Sequence, residues 1–143
     1  MALIAQAELE IDANVDTLFG KLVDFRTWSE WMPDAFRPVR GPARALVAGD
    51  RIVVRMGGGL VAPLRVLRVR ASSELSWRGG VPGLLVGEHS FFFEPIGPTR
   101  TRVRSAEPFT GLLALIGPMR SVIERDASAV GRQMLEGLRG AVA

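Results

Sequence analysis

The sequence predicts an α+β fold. A curved antiparallel β-sheet of about seven strands wraps around a long C-terminal helix, with two short helices after the first strand. Three observations carry this reading. The first residues alternate with period two. The last stretch follows a helical period. Between 35 and 109 the chain is a series of short Val-, Leu-, Ile- and Phe-rich runs separated by Gly, Pro and Ser. Connections this short join antiparallel neighbours, because parallel strands need long crossovers. Such a sheet has one apolar face to cover, and only one long helix is available to cover it.

Taken in order, residues 3–11 place Leu3, Ala5, Ala7, Leu9 and Ile11 on one face and Gln6, Glu8 and Glu10 on the other, the pattern of a half-buried strand. Asp12 or Asn14 can cap the next element. Val15, Leu18, Phe19 and Leu22 then fall at helical spacing, which predicts a short amphipathic helix over 14–23. A second helical turn follows from Asp24 and stops at Pro33. Breaks are expected at Gly41-Pro42, Gly57-Gly58-Gly59, Ser72-Ser73, Gly79 to Gly83 and Gly97-Pro98. From about 118 to 141 the stripe Met119, Ile123, Ala127, Val130, Met134 and Leu138 marks the long helix. Arg120/Glu124 and Arg132/Glu136 are i,i+4 pairs on its other side.

Composition removes several kinds of chemistry. The 143 residues fit a single domain, 1–143, with 48% hydrophobic and 23% charged residues as in an ordinary globular chain. There is no cysteine, which excludes disulfides, thiolate nucleophiles, Cys-ligated zinc and iron–sulfur clusters. His89 is the only histidine, so a multi-histidine metal site is excluded as well, and no metal or other cofactor is implied. Tyrosine is absent. The pI of 10.8 suggests nucleic-acid binding at first sight. The net charge is only +3, however, and the basic residues are 17 Arg beside Lys21 alone. With neither Cys nor Tyr to titrate, a small positive excess drives the pI very high, and +3 is the meaningful number.

The first twenty residues have no basic region and carry Glu8, Glu10, Asp12 and Asp16, so no signal peptide is expected. No apolar run is long enough to span a bilayer. The expectation is a cytoplasmic protein without stable membrane insertion, as a monomer or homodimer.

Three stretches resemble the START-like superfamily, whose members include Bet v 1 allergens and bacterial polyketide cyclase/dehydrase-type proteins. They are the opening strand running into IDANVDTLFGKLVDFRTWSEWMP, then LSWRGGVPGLLVGEHSFFFEP, then TRVRSAEPFTGLL ahead of the last helix. The likeness covers essentially the whole chain. It implies a β-α-α-β6-α helix-grip fold with a deep cavity between sheet and long helix. It also implies binding of a lipid, quinone, polyketide or similar molecule, with cyclase or aromatase activity in a minority of members. Fold alone does not decide among these.

Strand parity sharpens the site. In 83–95, Leu85, Gly87, His89, Phe91 and Phe93 share one face. In 99–109, Thr101, Val103, Ser105, Glu107 and Phe109 share one face, while Arg100, Arg102 and Arg104 take the other and should look outward. A tight turn at Gly97-Pro98-Thr99 sets His89 opposite Glu107, Phe91 opposite Ser105 and Phe93 opposite Val103. The only histidine and an acid then meet among apolar groups. Three readings stay open for that pair: a structural hydrogen-bonded pair, a polar anchor for a bound carbonyl or phenol, or a proton-transfer pair.

The remaining ligand-facing candidates are apolar. They are Met56 and Trp77 on strands, and Met119, Ile123, Val130 and Met134 on the last helix. Trp28, Trp31 and Met32 either form part of the cavity mouth or plug the barrel end. Gly131 and Gly137 either permit close helix–sheet packing or leave room for a guest. In 64–70, Leu67 and Val69 compete with Leu64 and Val66 for the inward face, which leaves the orientation of Arg65 open. The glycine triplet 57–59 lacks the Lys-Ser/Thr and the strand–loop–helix setting of a phosphate cradle.

A basic outer sheet face, with Arg51, Arg55, Arg68, Arg70, Arg100, Arg102 and Arg104, lacks interleaved aromatics apart from Phe92. No nucleic-acid partner is expected. The expected partner is a hydrophobic small molecule, with polyketide cyclase or dehydratase activity through His89 and Glu107 as the alternative.

Overall fold

The computed structural model describes residues 3–143. Strand β1 (Leu3–Ile11) leads into helix α1 (Val15–Val23), a single 3-10 turn (Phe25–Thr27) and helix α2 (Trp28–Trp31). Six strands follow: β2 (Phe36–Arg40), β3 (Arg51–Met56), β4 (Val61–Arg70), β5 (Glu74–Val81), β6 (Leu85–Gly97) and β7 (Arg100–Thr110). A 3-10 turn at Leu112–Leu115 precedes the long helix α3 (Gly117–Ala141). The strands form one seven-stranded sheet in the order β1-β7-β6-β5-β4-β3-β2, with every neighbouring pair antiparallel. The curved sheet forms a half-barrel around α3, and the α+β helix-grip class read from the sequence is the observed one.

Local chemistry explains the element boundaries. Asn14, not Asp12, caps α1, its Oδ1 accepting from the Thr17 amide at 2.8 Å. Asp24 starts the next turn by accepting from the Arg26 amide at 3.1 Å. Two departures from the expected pattern have clear causes. The break expected from Gly79 falls later, because β5 runs on through Gly79 and Gly80 to Val81. A side chain at Gly79 would collide with Leu64, and Gly80 has φ +127° against the backbone of Leu85. The competition within 64–70 ends in a β-bulge between Val66 and Arg68. Before the bulge Leu64 and Val66 are buried; after it Val69 packs on the core. Leu67 is the extra residue and reverses side-chain parity, so Leu64, Val66 and Val69 face inward and Arg65 faces solvent.

Helix α3 is buried in only part of its length. Gly131, Met134, Leu135 and Leu138 are buried, whereas Met119 is 39% exposed. The helix starts at Gly117 with Pro118 in its first turn, and its buried residues begin only at Gly131. The stripe predicted from 119 to 138 therefore meets the sheet only towards its C-terminal end.

Candidate ligand-binding site

The inner face of the sheet changes character along its strands. At one end, Trp28 packs on Phe25, Phe36 and Trp77 with ring centroids 4.9, 6.2 and 5.3 Å apart. Trp77 continues the cluster onto Phe91 at 5.3 Å and His89 at 5.1 Å. The indole N–H groups are satisfied, Trp28 by the Leu22 carbonyl at 2.8 Å and Trp31 by Thr27 Oγ1 at 3.0 Å. Trp28, Trp31 and Met32 are all buried, so they close this end of the grip.

His89 stands where the aromatic cluster stops. The strands pair as expected, with Phe91 opposite Ser105 and Phe93 opposite Val103. The imidazole stacks on Phe91 at 4.5 Å, and its Nε2 lies 2.7 Å from Ser105 Oγ. Its Nδ1 lies 3.8 Å from Glu107 Oε1, too far for a direct hydrogen bond. Burial acts on both groups in the direction that removes charge. It pushes His89 down to about 3 and Glu107 up to about 7. The imidazole is therefore neutral, and Glu107 is poised between acid and carboxylate near neutral pH. A neutral imidazole and a carboxyl that is only part ionised relieve the cost of placing charge in this interior.

Beyond this pair the inner face opens. A cavity of about 520 Å3 lies at the mouth, lined by Leu3, Phe109, Leu112, Ala114, Leu115 and Arg120 among others. Leu3 and Phe109 are cross-strand partners, and the next inward pair is Ala5 with Glu107. Glu107 is thus one inward-facing position from the cavity wall. Gly87 shapes this junction. A Cβ there would come within 2.6 Å of Glu107 Oε2 and 2.8 Å of the Phe109 ring. The missing side chain makes room for both.

The sequence-derived candidates divide accordingly. Trp28, Trp31, Met32, Trp77, Phe91 and Met134 are buried in mutual packing. Met56 and Val130 are partly buried against that core. His89 and Glu107 lie close together on the inner face, Ser105 adds a contact to His89 that was not expected, and Phe109 lies on the cavity wall. Ile123 is half-buried and Met119 is exposed at the mouth. Gly131 and Gly137 serve close packing: a Cβ at Gly131 would meet Ser105 Oγ at 2.9 Å, and one at Gly137 would strike the Trp31 carbonyl.

Sequence reasoning missed Gly87 and the wall residues Leu3, Leu112, Ala114, Leu115 and Arg120 as site residues. Gly87 carried a usable signal, since a glycine on the inward face of a strand marks a close approach. The residues 112–115 had none, because a short apolar run before a helix reads as ordinary core. Among the described residues no group of three or more metal-ligating side chains exists, and no helix is long and apolar enough to cross a membrane.

Comparison with known proteins places this architecture. No curated protein matches the sequence. Solved structures share the fold at low identity. A hypothetical protein of Helicobacter pylori superposes with TM-score 0.76 at 16% identity, over 98% of this chain and 88% of that one. A START superfamily protein of Mycobacterium smegmatis gives 0.73 at 18%, over 97% and 96%. Norcoclaurine synthase of Thalictrum flavum, solved with dopamine and hydroxybenzaldehyde, gives 0.77 at 12%, over 99% and 87%. A family model described as polyketide cyclase/dehydrase and lipid transport matches residues 3–143. That match, over residues 3–143, establishes that the chain belongs to the polyketide cyclase/dehydrase and lipid transport family.

Proposed function

We propose that the protein binds a hydrophobic small molecule, such as a lipid, a quinone or a polyketide-like compound, between the sheet and α3. The ligand enters at the mouth near Leu115 and is met inside by His89 and Glu107. One observation carries this reading: buried His89 and Ser105 stand with the partly exposed Glu107 one inward position from an apolar-walled cavity, on an inner face made mostly of hydrocarbon and aromatic rings. Binding sites of this kind pair apolar walls with a few placed polar groups. A protonated Glu107 donates to a carbonyl and a deprotonated one accepts from a phenol, so the site suits an apolar ligand with one such oxygen. Membership of a family that includes lipid transport proteins supports the same class of ligand.

A second reading follows from Glu107 itself. A carboxyl brought to about 7 is matched to general acid–base work near neutrality. On a polyketide-like substrate held in the grip, Glu107 would take and return a proton, with the neutral His89 as its neighbour. This is cyclase- or dehydratase-type chemistry.

Native mass spectrometry of the purified protein, followed by titration with a panel of fatty acids, quinones and aromatic polyketides, tests the first reading. Retention of a member of the panel, weakened about tenfold by Glu107→Gln, is the expected result. No retained ligand across the panel would overturn it. For the second reading, turnover of a polyketide-type substrate that survives Glu107→Gln unchanged would exclude Glu107 as the proton carrier.

A further inference from the structure

The outer face of the sheet carries its charges in two unlike halves. On β1, β6 and β7 the arginines are matched with acids. Arg100 reaches Glu10 and Asp12, and Arg102 reaches Glu8, Glu10 and Glu94, at 3.0 to 3.6 Å. Arg104 lies over the Phe92 ring at 4.5 Å. On β3, β4 and β5 the arrangement is different. Arg51 is the register partner of Arg65, and Arg65 is the register partner of Arg78. Three outward guanidinium side chains therefore stand in one row across three adjacent strands, which lie about 4.8 Å apart.

The acids nearest this row are already engaged. Asp50, beside Arg51 in the chain, is held by Arg44 through two contacts of 2.8 and 3.0 Å. Glu88, the register partner of Arg78, is drawn to Arg68 Nη2 at 2.6 Å, and Arg68 also holds Glu74 at 2.8 Å. The span 51–73 contributes five arginines and no acid. Like charges directly opposite each other across strands are destabilising. The row therefore carries a standing repulsion between Arg51 and Arg65 and between Arg65 and Arg78, with Glu88, shared with Arg68, the one acid placed across from it. It also borders a groove of about 270 Å3, bounded by Pro63, Gly79, Gly80 and Pro82, where little side-chain bulk obstructs approach to the guanidinium groups.

We propose that Arg51, Arg65 and Arg78 form an oxyanion-binding site on the outer face of the sheet, suited to a phosphate-bearing ligand. Guanidinium forks match phosphate oxygens two at a time. One phosphoryl group bridges Arg65 and either neighbour, and a diphosphate engages all three. Arg65 is shared by every such arrangement and is the central residue of the site. The site lies on the face opposite the cavity and is independent of what the cavity holds. Long nucleic acid is disfavoured as the source of phosphate, because the face offers no series of exposed aromatics for bases to stack on.

The test has a soluble arm and a lipid arm. In low-salt buffer free of phosphate, the protein is titrated with inorganic pyrophosphate by calorimetry. It is separately sedimented with phosphatidylcholine vesicles, with and without phosphatidic acid. Binding in either arm supports the site, and the arm that responds identifies the source. Arg65→Gln should weaken that binding about tenfold or more, whereas Arg139→Gln, at the far end of α3, should leave it unchanged. Thermal melting adds an independent readout. Arg65→Gln should melt above the wild type without ligand, since it relieves repulsion, and should lose most of the stabilisation that pyrophosphate gives the wild type. Absence of binding in both arms, or equal weakening by Arg65→Gln and Arg139→Gln, overturns the proposal.

Discussion

The two ends of the grip are built from the same alternating strands, yet one is sealed and the other is open. At the sealed end α1, α2 and the C-terminal half of α3 converge on the inner face. Trp28, Leu18, Leu22 and Leu138 there are at most 1% exposed. At the open end the β3–β4, β5–β6 and β7–α3 connections and the strand ends beside them expose large apolar residues, among them Leu60 at 63%, Val81 at 59% and Leu115 at 76%. Helices decide the difference. An inward strand residue is buried only where another element covers it, and the covering elements are concentrated at one end. His89 and Glu107 sit at the border between the two regimes, which is why His89 is buried and Glu107, nearer the cavity, keeps about a fifth of its side chain exposed.

Breaking the sealed end should have the largest effect. Trp77→Ala removes a ring that touches Trp28, Phe36, Phe91 and His89. A loss of about 3–5 kcal/mol in urea unfolding is expected. Leu115→Ala, at the mouth, should cost less than about 0.5 kcal/mol by the same measurement. Similar losses for the two would erase the distinction between the ends.

The border responds to pH with opposite signs at its two members. Glu107 has a folded pKa of about 7, above its ordinary 4.5, so its contribution to stability is present below pH 4.5 and is lost as pH rises through 7. His89 has a folded value of about 3, below its ordinary 6.5, so its contribution is present above pH 6.5 and is lost as pH falls towards 3. Glu107→Gln should therefore gain on the wild type between pH 4.5 and 8, by at most about 3 kcal/mol. Chemical denaturation across that range checks it. A constant difference would show that Glu107 ionises as a solvated carboxylate does.

A smaller effect is expected where α3 meets the sheet. Gly131→Ala places a methyl against Ser105 Oγ, the hydroxyl that contacts His89. A cost of about 1–3 kcal/mol follows if the helix must shift. Gly117→Ala, where nothing lies within 4 Å of the added methyl, should change stability by less than about 0.5 kcal/mol. Equal responses at the two glycines would mean that the helix is not tightly seated at its C-terminal half.

Much of this was legible from residue order. Period-two alternation identified β1, and the expected register sets Phe91 opposite Ser105, although the turn differs: Gly97 pairs with Arg100, and a register shift between Pro95 and Gly97 restores the expected pairing. The polar group on the inner face followed from parity. The β4 bulge was not legible, because a bulge leaves two apolar sets that look like rivals until the partner strand shows that Leu64, Val66 and Val69 all face inward. The exposed start of α3 was hidden for a related reason. An apolar stripe states which side of a helix prefers burial, and only the sheet's extent states how far along the helix burial is available.

Residue order by itself determined most of the elements, the inward and outward faces of the strands other than β4, the lack of thiol or multi-histidine chemistry and the placing of the lone histidine near an acid on one face. Periodicity and composition are local properties, and each can be read without knowing what lies across the molecule. Tertiary structure alone decided which apolar residues became packed core and which became cavity wall, and that Gly87 leaves room for Glu107. It also decided that Arg68 and Arg44 take the acids which would otherwise neutralise the row at Arg65. These outcomes depend on distances between strands and helices far apart in sequence, and on competition for a limited set of partners in space.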